Sequence, residues 1–229
     1  MTVSFVWFDM GYTLLYMQRE TTYQQALKNF GIEIQLEDIE KGFHLTDKLF
    51  MREYPGFFLG PREAFMPSYL GIMNYRLGIG LDVCELDACW EAIKAKMDNY
   101  WLPFDGVSDV LAALKRESFG LGIISNWDYT ARDILRAAGL IDCFNPIIIS
   151  CEVDCSKPDP AIFNLALRTA AVSARDCIYV GDNYYDEALG SQNVGMPTQN
   201  INRFGSLGVE EIKDCPIISD ISEIFNFLK

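Results

Sequence analysis

A chain of 229 residues, half of them hydrophobic, is long enough for one full core and a second, smaller module. The formal net charge of −13 opposes binding to nucleic acid, because association with a phosphate backbone depends on Lys and Arg. The longest apolar run near the start, residues 3–8, is too short to span a bilayer or to act as a secretory signal. We therefore expect a soluble, cytoplasmic protein with no membrane partner.

Cysteine and histidine usage excludes several kinds of site. The seven cysteines contain no C-x-x-C pair, and there is no histidine cluster, so neither a disulfide framework nor a zinc site is indicated. The single histidine, His44, lies between two hydrophobic residues and away from any nucleophile-like motif. We interpret it as an ordinary helix residue. Catalysis by a Ser-His or Cys-His pair is therefore not indicated.

The first predicted elements are one short strand and a long helical segment. The strand covers residues 3–8. Over residues 16–100 the apolar residues recur at helical spacing, as in the stripes that contain Tyr23 and Leu27, Met66 and Leu70, or Leu86 and Trp90. No convincing strand interrupts them. The sequence thus predicts a helical insert directly after the first strand.

From residue 101 onward, short apolar runs alternate with amphipathic segments. In chain order we predict a helix at 107–114, a strand at 121–124, a helix at 131–138, a strand at 147–149, a helix at 160–171, a strand at 177–180 and a closing helix at 218–228. This alternation is typical of a parallel sheet with crossover helices. We predict an α/β core from residues 1–15 and 101–229, with residues 16–100 as a helical-bundle cap domain. Ligands bind at the carboxyl ends of such strands.

Four polar segments follow the predicted strands and would gather at that edge of the sheet. They contain Asp9 and Gly11, Ser125 and Asn126, Lys157, and Asp182 with the acids after it. Each segment alone is a weak signal, because an Asp after an apolar strand is commonly a turn or cap residue. Together, in this order, they are a strong one.

With these motifs the chain resembles the haloacid dehalogenase-like hydrolases, in the subclass with a helical cap between the first and second motifs (subclass I, C1-type cap). The likeness covers nearly the whole sequence. It implies a Rossmann-like, doubly wound core, a Mg²⁺ cofactor and an aspartyl-enzyme intermediate. It also implies that the carbonyl of Gly11 is a metal ligand.

The chemistry of the residues agrees with this resemblance. A carboxylate such as Asp9 is a competent nucleophile for phosphoryl transfer when a cation offsets its charge. Mg²⁺ prefers oxygen ligands, and Asp9 and Asp182 would supply carboxylates. Ser125, with backbone N–H groups near Asn126, would hold a phosphoryl oxygen. Lys157 would neutralise the charge that the nucleophile and the transferring group share.

Structural alternatives remain open for several of these residues. Ser125 and Asn126 could cap the helix that begins near residue 129, and Lys157 could be a solvated loop lysine. For the last acidic ligand we choose Asp186 first, although Glu187 occupies the common acidic place when the motif is aligned without gaps.

Two positions bear on turnover and specificity. Most phosphatases of this family carry a second aspartate, a general acid–base, where this chain has Gly11. Losing such a group costs ~10²–10⁴ in rate.

Among the cations of the insert, Arg19 lies nearest in sequence to the Asp9 loop and is the best candidate to bind an anionic substrate. Its alternative role is structural, as for most long charged residues on a helical insert.

The leading functional hypothesis is a Mg²⁺-dependent phosphatase that hydrolyses a small phosphorylated metabolite. A second is 2-haloacid dehalogenation, in which Asp9 attacks carbon and displaces halide without a divalent cation. The acids at 182, 186 and 187 argue against it, as does the absence of the aromatic residue that dehalogenases place at Gly11. A third is a non-catalytic family member, which has lost turnover because Gly11 replaces the usual general acid–base aspartate.

Overall fold

A computed structural model describes residues 3–228. These residues divide into two compact units. The first, here called the α/β unit, combines the described residues up to Tyr16 with those from Trp101 onward, and the second, the helical unit, spans Met17–Tyr100. The sequence prediction placed the helical insert at residues 16–100.

The strands and helices, in chain order, have the following bounds. The strands are β1 (Phe5–Phe8), β2 (Leu15–Met17), β3 (Trp101–Pro103), β4 (Gly120–Ser125), β5 (Ile147–Ile149), β6 (Cys177–Gly181), β7 (Thr198–Ile201) and β8 (Ile217–Ile218). The α-helices are α1 (Arg19–Asn29), α2 (Leu36–Glu53), α3 (Arg62–Leu77), α4 (Val83–Lys94), α5 (Val107–Arg116), α6 (Ala131–Ala137), α7 (Ser150–Val153), α8 (Pro160–Ala170) and α9 (Leu189–Gln192). A π-helical turn covers Tyr184–Ala188, and short 3₁₀ helices cover Phe57–Leu59, Ile141–Cys143, Ala174–Asp176 and Ile221–Phe227.

The main sheet has six strands in the order β5-β4-β1-β6-β7-β8, and its pairings are parallel. Strand β1 lies in the middle, and the chain order runs outward from it in both directions. This doubly wound arrangement confirms the predicted α/β, Rossmann-like fold. In such a sheet the crevice at the carboxyl end of the central strands is the usual ligand site. A second, two-stranded sheet pairs β2 with β3.

Both faces of the sheet are buried, as a parallel sheet requires. In β1, Val6 and Phe8 belong to the core that α5 covers, whereas Phe5 and Trp7 belong to the core that α8 covers. The neighbouring strand β4 supplies glycines where those rings approach. A Cβ at Gly120 would overlap the ring of Phe5, so the small residue permits close packing at this strand pair.

The helical unit has its own core, as the helical spacing predicted. The predicted stripe residues Tyr23, Leu27, Leu70 and Leu86 are fully buried in it. Buried polar groups are paired across the helices: the Tyr23 hydroxyl donates to Asn74 Oδ1 at 2.7 Å. Within residues 3–228 no helix combines the length and apolarity that a membrane span needs.

The C-terminal segment differs from the prediction. Instead of one helix over 218–228 the structure has β8 followed by a 3₁₀ helix, which Asp220 caps by accepting from the Ser222 N–H at 2.8 Å. Strand β7 was also missed, because Thr198, Gln199 and Asn200 interrupt the apolar run that would have marked it. All four of its residues are nevertheless buried.

Candidate active site

Three of the predicted site residues lie at the carboxyl ends of three adjacent strands. Asp9 follows β1, Ser125 ends β4 and Asp182 follows β6. The parallel register sets Phe8 beside both Ile123 and Val180, so the residues that follow emerge side by side. The structure therefore brings the first, second and fourth motifs together at the predicted edge.

The Asp9 carboxylate is buried and receives two hydrogen bonds on one oxygen. Ser125 Oγ donates to Asp9 Oδ1 at 2.9 Å, and Lys157 Nζ donates to the same atom at 2.7 Å. Two donors on one oxygen fix the orientation of the carboxylate. Asp9 thus has a constrained carboxylate at the centre of the site.

Lys157 is buried and has all three of its N–H groups engaged. Besides Asp9 it donates to Glu187 Oε1 at 2.6 Å and to the Tyr179 hydroxyl at 3.0 Å. The hydroxyl of Tyr179 in turn donates to the backbone oxygen of Ile124 at 2.9 Å. Burial lowers the pKa of Lys157, but the carboxylates of Asp9 and Glu187 outweigh it and hold that pKa well above its usual value. Lys157 is therefore a fixed cation, and the alternative of a solvated loop lysine does not apply.

Asn126 fastens the Lys157 loop to the end of β4. Its Nδ2 donates to the backbone oxygen of Lys157 at 2.9 Å, and the Lys157 N–H donates to Asn126 Oδ1 at 2.8 Å. Helix α6 begins later, with Thr130 in the cap position. Asn126 is thus a positioning residue for Lys157 and does not cap α6.

Three carboxylates form the acidic part of the site. One oxygen from each of Asp9, Asp182 and Glu187 lies within 4.8 Å of the other two. Glu187 is buried, and its Oε2 accepts from the Asn183 N–H at 3.0 Å. Burial raises the pKa of Glu187 well above its usual value, although Lys157 acts in the opposite direction.

Glu187, rather than the preferred Asp186, belongs to this acidic cluster. The two residues lie in the π-helical turn, which turns Glu187 toward the sheet; a Cβ at Gly181 would overlap its carboxylate, so that glycine makes its approach possible. Asp186 Oδ2 accepts from Asn183 Nδ2 at 2.8 Å, while its buried Oδ1 has no hydrogen-bond partner among the described residues. The sequence could not distinguish the two because the π-helical spacing is set by tertiary packing.

The residue types at this cluster fit a divalent cation. The donor set consists of carboxylate oxygens, which Mg²⁺ prefers, and Gly11 could add a carbonyl. Lys157 supplies one positive charge against the three carboxylates of Asp9, Asp182 and Glu187. The excess negative charge repels itself unless a cation is bound.

Two tryptophans that the sequence analysis missed flank Gly11. A Cβ on Gly11 would lie 3.1 Å from Trp127 Cζ3 and 3.7 Å from Trp101 Cη2. The two indoles contact each other edge to face, with their centroids 4.7 Å apart. Trp127 stands two residues after Ser125, and this proximity was the available signal.

Arg203 is a second missed residue, and it holds the loop that follows Asp9. Its Nη1 donates to the backbone oxygen of Tyr12 at 2.6 Å and its Nη2 to that of Thr13 at 3.0 Å. The guanidinium also lies 3.3 Å from the ring centroid of Phe104. Burial lowers the pKa of Arg203 to about 10, so it remains charged at neutral pH. Arg203 was missed because β7, the strand it follows, was missed.

Arg19, the predicted substrate contact, lies inside the helical unit. Its Nη2 donates to Asp47 Oδ2 at 2.5 Å and its Nη1 donates to the Tyr69 hydroxyl at 3.1 Å. The guanidinium also packs 4.5 Å from the ring centroid of Phe43. This is a buried ion pair between helices α1 and α2, which is the structural alternative weighed for Arg19.

Comparison with known proteins agrees with this fold. Residues 6–201 match the family model described as haloacid dehalogenase-like hydrolase. The mouse haloacid dehalogenase-like hydrolase domain-containing protein 3 is 38% identical over 195 residues, which cover 82% of this chain and 77% of that protein. Pyrophosphatase PpaX of Listeria monocytogenes is 29% identical over 185 residues, covering 80% and 76%.

A solved structure shares the whole fold. YfnB of Bacillus subtilis, determined with bound magnesium, superposes with a TM-score of 0.68 at 19% identity, and the match covers 100% of both chains. At this level of identity the likeness concerns the fold alone. The family model, which spans most of the sequence, and the site geometry at the ends of β1, β4 and β6 lead to one conclusion: the chain belongs to the haloacid dehalogenase-like hydrolases.

Proposed function

We propose that this hydrolase is a Mg²⁺-dependent phosphatase, which cleaves a small phosphorylated metabolite through an aspartyl-phosphate on Asp9. The observation that carries the proposal is the convergence of Ser125 and Lys157 on Asp9 Oδ1, with Asp182 and Glu187 close by. A carboxylate held in this way is placed to act as a nucleophile. The similarity to a pyrophosphatase supports a phosphoryl substrate.

Each residue then has a definite task. Asp9 attacks phosphorus, and the bond to the leaving oxygen breaks. Lys157 offsets the negative charge that Asp9 shares with the transferring group, while the hydroxyl of Ser125 orients the carboxylate. Asp9, Asp182, Glu187 and the carbonyl of Gly11 would hold Mg²⁺, whose charge would let an anionic substrate approach an anionic nucleophile. Water then attacks the phosphorus and restores the Asp9 carboxylate.

The test is hydrolysis of p-nitrophenyl phosphate with and without Mg²⁺. We expect metal-dependent turnover that falls by roughly 10⁴-fold or more in Asp9→Asn, because the amide is not a nucleophile. Asp109→Asn, an exposed change on α5, is the matched control and retains turnover. Mass spectrometry of the acid-quenched enzyme should find a phosphoryl group on the peptide that contains Asp9.

The competing functions give different results. Metal-independent release of halide from a 2-haloacid would contradict the proposal in favour of dehalogenation. Absence of turnover in both assays, with Mg²⁺ still bound, would instead indicate a non-catalytic family member.

A further inference from the structure

The space beside Gly11 is filled by aromatic carbon and not by a proton donor. The three nearest heavy atoms to a Cβ built on Gly11 belong to the indoles of Trp127 and Trp101. The loops that carry Asp9 and Ser125 therefore continue into a glycine and a tryptophan that pack against each other.

The Trp127 ring is held firmly in this place. Its backbone N–H donates to Ser150 Oγ at 3.1 Å, and the Ser150 hydroxyl lies 3.2 Å from the Trp127 backbone oxygen, to which it donates. The indole Nε1–H donates to Thr130 Oγ1 at 3.2 Å. The one polar hydrogen of the ring is thus occupied, and the face toward Gly11 offers only carbon.

The other donors around Asp9 are also committed. Lys157 uses its three N–H groups on Asp9, Glu187 and Tyr179, and the Tyr179 hydroxyl donates to a backbone oxygen. Glu187 accepts on both carboxylate oxygens, from Lys157 and from the Asn183 N–H. Among the described residues of the α/β unit, Lys157 and Tyr179 thus have their side-chain hydrogens engaged in other hydrogen bonds and direct none at a departing oxygen.

From this arrangement we infer that the enzyme selects substrates whose leaving group departs as a weakly basic anion, namely acyl phosphates and phosphoanhydrides, over alkyl phosphates such as sugar phosphates. The inference rests on the proposed phosphatase function and specifies its substrate class. An oxygen that leaves without protonation leaves readily only when its conjugate acid is strong.

The reaction has two steps, and neither needs a general acid from the α/β unit. An Asp9 oxygen bonds to phosphorus as the bond from phosphorus to the leaving oxygen breaks, and the leaving group takes that electron pair away as an anion. Water then adds to phosphorus and the bond to Asp9 breaks. The products of this second step are the free carboxylate and dihydrogen phosphate, which loses a proton to solvent.

The experiment measures kcat/KM for a series of phosphates of decreasing leaving-group acidity: acetyl phosphate, p-nitrophenyl phosphate, phenyl phosphate and glycerol phosphate. We expect kcat/KM to fall by ~10²-fold or more from p-nitrophenyl to phenyl phosphate, and further for glycerol phosphate, since a general acid is worth ~10²–10⁴. Gly11→Asp combined with Trp127→Ala adds a carboxyl group and the space for it. This variant should flatten the dependence.

Trp127→Ala alone is the matched control, because it opens the same space without adding a donor, and its dependence should stay steep. The wild-type series tests the inferred leaving-group preference by itself, even if the double variant does not fold. A shallow dependence in wild type would overturn the inference while leaving the phosphatase intact, and a steepening by Asp186→Asn would then identify the donor. Absence of turnover with every phosphate would overturn the proposed function and the inference together.

Discussion

The guanidinium Nη1 of Arg203 donates to the backbone oxygen of Tyr12 at 2.6 Å, although 191 residues separate the two in sequence. Tyr12 lies three residues after Asp9 and has the left-handed conformation, with φ of 53°. A non-glycine residue adopts that conformation at some cost, which the surrounding contacts must offset. The Arg203 hydrogen bonds are contacts of this kind.

Arg203→Met should therefore loosen the loop that carries Gly11. Two backbone oxygens would lose their charged donor, which costs about 1–3 kcal/mol, or roughly 5 °C in Tm. We also expect kcat/KM to fall about tenfold, as a loss of about 1.4 kcal/mol implies. Arg168→Met, an exposed change on α8, is the control. Equal Tm and kcat/KM in the two variants would show that Arg203 does not support the loop.

Metal binding can be measured without activity, through its effect on Tm. At 100 times its Kd a ligand stabilises the folded state by about 2.7 kcal/mol, so Mg²⁺ should raise Tm by several degrees. Asp182→Asn and Glu187→Gln should lose most of this shift, because their carboxylates lie in the cluster with Asp9. Asp186→Asn should keep most of it. The reverse pattern for Asp186 and Glu187 would restore the ligand set that the sequence favoured.

Variants of the ion pair between Arg19 and Asp47 distinguish a structural role of Arg19 from a substrate-binding one. Asp47→Leu removes the buried carboxylate that accepts two hydrogen bonds from the Arg19 guanidinium, which keeps its ion pair with Glu20 at 2.9 Å, and should cost up to about 3 kcal/mol of stability. Arg19→Met in the same chain removes the charge that has lost this carboxylate, so the double variant should recover much of the loss. If Arg19 is structural, kcat/KM recovers together with Tm. Recovery of Tm alone, with kcat/KM still low, would place Arg19 at the substrate.

Alkaline pH should destabilise the protein through two buried thiols. Burial raises the pKa of Cys177 and of Cys215 from about 9 to about 11. The unfolded chain then binds fewer protons than the folded one between these values, so stability is complete below pH ~9 and is lost as pH rises toward 11. We expect Tm to fall over this interval. It should fall less steeply in the double variant Cys177→Ser/Cys215→Ser. Cys84→Ser, at an exposed thiol, should follow the wild-type curve.

The sequence by itself determined the parallel sheet, the helical insert and the family. The apolar runs around Val6, Ile123 and Val180 are continuous, as strands buried on both faces must be, and each is followed by a polar residue of the site. Such local patterns report directly on burial and on strand ends. The prediction of Asp9, Ser125 and Asp182 as neighbours depended on this regularity.

Only the tertiary structure decided which groups contact each other. The choice of Glu187 over Asp186 follows from a π-helical turn against Gly181, and the partners of Arg203 and Arg19 lie far away in the chain. A side chain at the end of a strand has a position that sequence spacing predicts. Its partners depend on which distant segments pack there, and hydrogen bonds across such distances leave no periodic signal in the sequence.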